Sequence, residues 1–194
     1  MTPQEFMQFL STRRTYRRFT QDPVPACAVD DLLEAARIAS CSANRQTLRY
    51  LVVQSPRMVA ETNAHVHWAA YLPPEQGVPA PNERPTLFVA VYQDTSLPGC
   101  SDLDLGLALG SMTAAAWAHG VGSCILGAID RPALAQLYGA PDSLRLCNLV
   151  AFGRPAHHSR VVPMQNGDVR YYLDGNRDYC VPKRPLDQIL VGRL

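Results

Sequence analysis

The segment from Asp102 to His119 constrains the fold more than any other part of this 194-residue chain. It is apolar on almost every side and rich in Ala, Gly and Ser. The sequence therefore predicts a helix that is buried on most sides or packed closely against a twin, and Gly120 would end it. Small residues recur at every fourth position: Gly106, Gly110, Ala114 and Ala118. Because such a stripe lets two helices approach closely, we expect a dimer that buries more than about 2,000 Å².

Helical and extended patterns are mixed along the rest of the chain. Thr2, Pro3 and Glu5 have the pattern of a capped helix start, and a second helix is predicted over 25–39, where apolar residues share one face. Asp130, with Pro132 in the first turn, predicts a further short helix. Short apolar runs rich in β-branched residues predict strands at 50–53, 87–92, 121–126 and 145–152.

The composition excludes several classes of protein. Hydrophobic residues make up 47% of the chain, charged residues 18%, and the net charge is +1. These values fit one globular domain over 1–194 and disfavour general binding to nucleic acids or membrane surfaces. The chain has no apolar run of roughly 18 residues and no secretory leader pattern, so we expect a cytoplasmic protein.

Two segments lack a helical or strand pattern. Residues 72–85 contain five prolines and one glycine, which excludes a helix interior or a central strand. This loop is either a lid or a plain surface connector. Residues 154–194 have little core of their own, and we expect a C-terminal arm that packs on a partner subunit.

The cysteines and histidines do not form a metal-binding pattern. The pairs His65/His67 and His157/His158 have no cysteine or carboxylate placed to complete a ligand set, so we expect no metal. The scattered cysteines include no CxxC pair and are expected to be small buried thiols: Cys27, Cys41, Cys100, Cys124, Cys147 and Cys180.

Four arginines, Arg13, Arg14, Arg17 and Arg18, lie within six residues around the hydroxyl of Thr15. Four positive charges are a strong local concentration in a chain of net charge +1. One guanidinium group can bind a phosphate through two parallel hydrogen bonds, so the segment fits a phosphate site. A solvated charged stretch and a nucleic-acid contact are the alternatives.

Three further segments have polar or glycine-rich patterns. Residues 42–46 (SANRQ) offer two amides and a hydroxyl, which either build a turn or bind a heterocycle. Residues 120–127 (GVGSCILG) follow a helix and enter a strand, the reverse of a dinucleotide-binding loop, but glycines there would let a flat ligand approach the backbone. Lys183 and Arg184 either solubilise the C-terminal arm or join the arginines around one phosphate.

In this order and spacing, these segments resemble the nitroreductase family of FMN-dependent oxidoreductases over most of the chain. The resemblance implies an α+β fold with a central, mostly antiparallel sheet flanked by helices. It also implies an intertwined homodimer with FMN at the subunit interface. The chain departs from many family members at Thr47-Leu48, where they have Pro-Trp.

The resemblance also assigns candidate residues. Arg13, Arg14, Thr15 and Arg17 would hold the phosphate and the near side of the flavin. The other candidate cofactor residues are Ser42, Asn44 and Gln46 from the partner, Ile125, Leu126 and Gly127 against the ring, and Lys183 or Arg184 at the phosphate.

The expected activity is oxidation of NADH or NADPH and transfer of the electrons to a second substrate in a ping-pong cycle. The flavin performs this chemistry, so we name no protein acid or base. The acceptor could be a nitroaromatic, a quinone or free flavin. A flavin-binding protein with little turnover, and an enzyme for dehydrogenation or dehalogenation of one metabolite, are the alternatives. Trp68 and Tyr71 are expected beside the exposed face of the ring, where flat substrates stack.

Overall fold

The computed structural model describes residues 1–99 and 101–194. Its helices are α1 (Pro3–Thr12), α2 (Ala26–Arg37), α3 (Pro56–Asn63), α4 (Pro74–Gly77), α5 (Asp102–Ala118) and α6 (Arg131–Tyr138). Its strands are β1 (Leu48–Val53), β2 (Leu87–Asp94), β3 (Gly122–Leu126), β4 (Leu144–Gly153), β5 (Ser159–Pro163), β6 (Tyr172–Leu173) and β7 (Tyr179–Lys183). Short 3₁₀ turns lie at Ser42–Asn44, Pro81–Glu83 and Leu186–Gln188.

The main sheet has four antiparallel strands in the order β1-β2-β4-β3. This confirms the expected antiparallel sheet. Strands β2 and β4 are the inner pair, and β1 and β3 form the edges. Ser123 of β3 lies opposite Phe152 of β4, so the start of β3 and the end of β4 meet at one end of the sheet.

Helices cover both faces of this sheet. Alternate residues of β2 point to opposite faces and therefore pack against different helices. Val89 and Val91 pack with Leu32 of α2 and Met112 of α5. On the other face, Phe88, Ala90 and Tyr92 pack with Val59 of α3 and Leu134 of α6. The result is an α+β fold with two apolar layers.

The predicted helix starts are confirmed. At α1, the backbone N–H of Glu5 donates to the Thr2 hydroxyl at 3.2 Å, and the Thr2 N–H donates to the Glu5 carboxylate at 2.7 Å. Asp130 caps α6 by accepting from the Ala133 N–H at 3.1 Å. Helix α5 ends one residue before the predicted boundary.

Two apolar faces are uncovered in the single chain. Gly106 and Gly110 of α5 are exposed and have open space around them, and Leu103 beside them is 67% exposed. Helix α1 has no buried residue, and it exposes Phe6, Met7 and Leu10. The predicted small-residue stripe therefore lies on a surface that is free to meet another helix.

The C-terminal region differs from the predicted extended arm in its first part. Strands β5, β7 and β6 form a second sheet within the same chain, in which β5 and β7 are parallel. Tyr179 and Cys180 lie on the middle strand β7, where each is paired with both neighbouring strands, and both are buried. After β7 the chain exposes Ile189, Leu190 and Val191.

Residues 72–85 are more ordered than a plain loop, since they contain α4 and the turn at Pro81–Glu83. The cysteine expectation holds only in part. Cys124 is buried, as Cys180 is, but Cys27 is exposed and Cys41 and Cys147 are half-buried. Cys100 lies outside the described residues. In the part of the chain that the structure describes, no helix is long and apolar enough to cross a membrane.

Candidate functional site

The arginine segment lies along the edge strand β3. Thr15 bridges to Ser123, and the Tyr16 N–H donates to the Ser123 carbonyl at 2.9 Å. Gly122 makes this approach possible, because an added Cβ would lie 2.9 Å from the Tyr16 ring. We predicted that the glycines would admit a flat ligand. At Gly122, the space is instead filled by the chain's own tyrosine.

Arg13, Arg14 and Arg17 are half-buried and have no carboxylate within ion-pair distance among residues 1–99 and 101–194. The Arg13 guanidinium donates to the Thr113 hydroxyl of α5 at 3.4 Å. The Nε of Arg14 is buried without a hydrogen-bond partner. Burial, and after it the charge of Arg13, lower the pKa of Arg14. An anion bound here would stabilise these cations, because it would neutralise part of their charge.

Arg17 is held on an aromatic platform. Its guanidinium carbon lies 4.5 Å from the ring centre of Tyr171 and 5.1 Å from that of Tyr179. Cation–π contacts of this length fix a guanidinium while leaving its N–H groups available. Tyr71 continues the platform, because its ring centre is 5.1 Å from that of Tyr171.

His157 fixes the backbone of Arg17. Its Nε2 accepts from the Arg17 N–H at 3.1 Å, and its Nδ1 bonds to the His158 carbonyl at 2.7 Å. The ring is flanked by Tyr16 at 5.3 Å and Tyr179 at 4.8 Å. Burial lowers the pKa of His157 to about 4, so the imidazole is neutral and can accept this bond at physiological pH.

Arg18 shares the Tyr179 ring with Arg17 but has an acidic partner of its own. It is 3% exposed, and its Nε lies 3.7 Å from the Glu83 carboxylate. Its Nη2 also donates to the Arg177 carbonyl, and its guanidinium stacks on Tyr179. Of the four predicted phosphate arginines, Arg18 is therefore part of the fold's own ion-pair network.

The turn at residues 42–46 has a strained backbone. Ala43, Asn44 and Gln46 have φ values of 50°, 51° and 51°, the left-handed region that non-glycine residues rarely adopt. Asp104 holds the turn on α5, since one carboxylate oxygen accepts from the Ser42 N–H at 2.8 Å and from its hydroxyl at 2.9 Å. These bonds, the backbone bond foremost, lower the pKa of Asp104.

The turn and the arginine segment are far apart within one chain. The turn is bonded to Asp104 near the start of α5, whereas Arg13 is bonded to Thr113 nine residues later. Nine residues of α-helix span about 13 Å. The side chains of Asn44 and Gln46 are exposed, and their bonds to described residues are short-range, to Cys41 and within the turn. A single chain does not bring these two predicted parts of the site together.

The end of β3 provides a small exposed apolar surface. Ile125 is 43% exposed, although the other four residues of this strand are buried. The Leu126 carbonyl accepts from the Asn148 amide at 3.2 Å, and its side chain lies in the core. Gly127 is exposed, and a Cβ there would meet only the Asn148 amide, at 3.6 Å.

The remaining predicted residues are placed less favourably. Lys183 is exposed at the end of β7, opposite Pro163, and no described contact joins it or Arg184 to the arginine segment. Trp68 is 8% exposed within the core, which favours a packing role. Tyr71 is 56% exposed, so a flat ligand could reach it.

Sequence reasoning missed several residues of this site: Thr113, His157, Tyr171 and Tyr179. The sequence pattern presents His157 only as half of a histidine pair. The Arg17 platform depends on residues more than 150 positions away. The Tyr171-Tyr172 doublet was the one local signal that could have suggested it.

Comparisons with known proteins show the family to which the chain belongs. The Nitroreductase family model matches residues 10–154, and the chain therefore belongs to the nitroreductase family. An FMN reductase [NAD(P)H] from Bacillus subtilis is 26% identical over 172 residues, which cover 82% of this chain and 69% of the relative.

Two solved structures extend the comparison. A protein from Desulfovibrio desulfuricans, described as a nitroreductase in complex with FMN, is 25% identical with a TM-score of 0.67; the match covers 100% of this chain and 98% of that one. Oxidised iodotyrosine deiodinase bound to FMN and 3-iodo-L-tyrosine has a TM-score of 0.67 at 22% identity, over 87% of this chain and 99% of that one. The second likeness shows the fold alone.

Proposed function

We propose that this protein is an FMN-dependent oxidoreductase that takes electrons from NADH or NADPH and passes them to a small organic acceptor. The observation that carries the proposal is the set of three half-buried arginines, Arg13, Arg14 and Arg17, with no carboxylate paired to them in the described chain. A phosphate of charge near −2 would complete this set, through charge-assisted bonds worth about 1.5–3 kcal/mol each.

The residues present fit FMN. Arg13, Arg14 and Thr15 would bind the phosphate beside the start of β3, and Ile125 and Gly127, toward the other end of this strand, would lie against the ring. When bound, FMN supplies hydride acceptance from the nicotinamide and electron delivery to the acceptor. Arg17, held on Tyr171 and by His157, would place a fixed positive charge beside the ring.

The site would be completed by a second copy of the chain. Asp104, which holds Ser42, lies about 13 Å along α5 from Arg13's partner Thr113. We therefore infer that Ser42, Asn44 and Gln46 act on the flavin of the other subunit. The exposed small-residue stripe of α5 would provide the contact between subunits. Lys183 or Arg184 would reach the phosphate only if the segment after β7 changes its neighbours on dimerisation.

Substrates would enter beside Tyr71. Its exposed ring lies against Tyr171, which in turn carries Arg17, so an aromatic surface leads from solvent to the cation. Residues 72–85 follow Tyr71 directly and could restrict the size of the acceptor. The burial of Trp68 supports this entry less than the exposure of Tyr71 does.

The experiment begins with the colour of the purified protein and the flavin released on denaturation. We expect FMN in near-stoichiometric amount, and oxidation of NADH or NADPH that depends on an added nitroaromatic, quinone or free flavin. Protein that cannot be loaded with FMN contradicts the proposal. Bound FMN without turnover of any acceptor would favour the flavin-binding alternative.

Light scattering tests whether the protein forms a dimer. A permanent dimer should persist at micromolar concentration, because its interface would bury more than about 2,000 Å². A stable flavin-loaded monomer would refute the shared site while leaving FMN binding itself intact.

A further inference from the structure

A cavity lies at the end of β1, the edge strand of the main sheet opposite to β3. It has a volume of about 330 Å³ and sits between α3, the residue that follows β1, and residues 81–86. This volume is at the lower end of the range for small-molecule sites. Its apolar wall is formed mainly by Pro23, Pro56, Val59, Pro81 and Pro85.

Arg84 gives this cavity its charge. In the part of the chain that the structure describes, a buried Nε without a hydrogen-bond partner occurs at Arg14, Arg18 and Arg84. Arg14 belongs to the proposed phosphate site, and Arg18 has Glu83 beside it. The Arg84 side chain has no ion pair to any described residue, and the cavity lining contains no carboxylate. A guanidinium with a buried nitrogen that lacks a partner is stabilised when an anion joins it.

Asn63 adds a second polar group. It is 7% exposed, at the end of α3, and its Oδ1 is buried without a partner. The exposed amide of Gln54 lies at the same cavity. The Gln54 amide has N–H groups that could donate to an anion, whereas the Asn63 oxygen only accepts and would bond to an N–H or O–H elsewhere on a ligand.

From these contacts we infer that the cavity binds a small organic monocarboxylate with an aromatic or branched apolar body. The planar guanidinium of Arg84 matches a carboxylate, which it can bind through two parallel hydrogen bonds. One cation balances one negative charge, whereas a phosphate dianion would leave a charge uncompensated against proline walls. The apolar part of the ligand would lie on the prolines and Val59.

This site is separate from the proposed flavin site. Gln54 of the cavity follows β1, whereas Thr15 bridges to Ser123 of β3, the opposite edge of the sheet. Three interstrand spacings separate these edges, which is about 14 Å. The C-terminal end of the arginine segment comes nearer to the cavity, because Arg18 pairs with Glu83, the residue before Arg84. The inference does not depend on the proposed function.

Calorimetry on the full chain tests the inference, with excess FMN added to fill the flavin site. Benzoate serves as the probe, benzamide as its neutral isostere and inorganic phosphate as a competing anion. We expect saturable benzoate binding, at least about tenfold weaker binding of benzamide, and no displacement of benzoate by phosphate.

Variants locate the binding. Arg84→Gln should weaken benzoate binding by about tenfold or more, and Arg84→Lys should restore part of it. Arg57→Gln is the matched control, since Arg57 is exposed on α3 and paired with Glu61. Ala60→Trp, at an exposed position on the cavity wall, should block binding while keeping Arg84.

Three results would overturn the inference. The first is no benzoate binding at millimolar concentration, and the second is unchanged binding in both Arg84→Gln and Ala60→Trp. The third is binding that is lost in Arg17→Gln but kept in Arg84→Gln, which would place the probe in the flavin site. Thermal melts of each variant separate loss of folding from loss of binding.

Discussion

The two ends of the arginine segment have the same residue type in different surroundings. Arg18 is almost fully buried, and its guanidinium contacts the Glu83 carboxylate, the Arg177 carbonyl and the ring of Tyr179. Arg13, Arg14 and Arg17 are half-buried, and their described contacts are a hydroxyl and aromatic rings. The difference indicates that Arg18 serves stability, and it supports the proposal that Arg13, Arg14 and Arg17 form the ligand-binding end of the segment.

The largest effect is expected at Arg18. Arg18→Ala should lower the free energy of unfolding by about 3–5 kcal/mol, because it removes a buried cation from its ion pair and leaves a cavity beside Tyr179. Urea melts of flavin-free protein measure this loss. The FMN affinity of the molecules that remain folded should not change; a large loss of affinity without a loss of stability would break the comparison.

A pH-dependent effect is expected at His157, which supports the ligand-binding end. The unfolded chain takes up a proton at this residue near pH 6.5, and the folded chain only near pH 4. Burial is the main cause of the lowered pKa, and Arg18 and Arg17 add to it, whereas the bond to the His158 carbonyl and the charge of Asp178 act against it. Its contribution to stability is therefore full above pH 6.5 and falls by about 3 kcal/mol as the pH drops to 4.

Melts between pH 4 and pH 7 check this prediction. His157→Gln should show a flatter dependence of stability on pH than the natural protein, and His158→Gln, a change at the exposed neighbour, should not. Equal slopes in all three proteins would show that His157 titrates normally. The FMN affinity of His157→Gln should also fall, since Arg17 would lose its backbone anchor.

The ligand-binding end is tested directly by Arg13→Ala and Arg17→Ala. Each should cost about 2–3 kcal/mol of FMN affinity, or roughly 30- to 150-fold, because a bound oxygen loses its charged partner. The stability of flavin-free protein should change little. Arg145→Ala on β4, where the arginine is exposed and bonds to Gln93, is the control.

Fluorescence titration of FMN measures these affinities. If both variants bind FMN as the natural protein does, the phosphate lies elsewhere. The assignment of the two ends of the segment would then be wrong at its main point.

The sequence could predict the parts of this molecule that depend on near neighbours. The caps at Thr2 and Asp130, the long helix α5 and the strands of the main sheet follow from patterns of a few residues. The different roles of Arg17 and Arg18 do not, because they depend on Glu83, Tyr171 and Tyr179, which reach the segment only through the fold. The parallel pairing of β5 with β7 and the left-handed turn held by Asp104 are likewise set by distant contacts.

The smallest effect is expected at Tyr71, at the outer end of the platform under Arg17. Tyr71→Ala removes an exposed ring that touches Tyr171 but makes no described contact with Arg13, Arg14 or Arg17. The FMN content should therefore be unchanged. The KM for bulky flat acceptors should rise a few-fold, since stacking on one aromatic ring is worth about 0.5–1.5 kcal/mol. Tyr71→Phe should behave like the natural protein, because it keeps the ring. Steady-state kinetics with a large and a small acceptor measure the difference. An equal change for both acceptors, or a loss of FMN in Tyr71→Ala, would show that Tyr71 supports the cation platform and does not select the substrate.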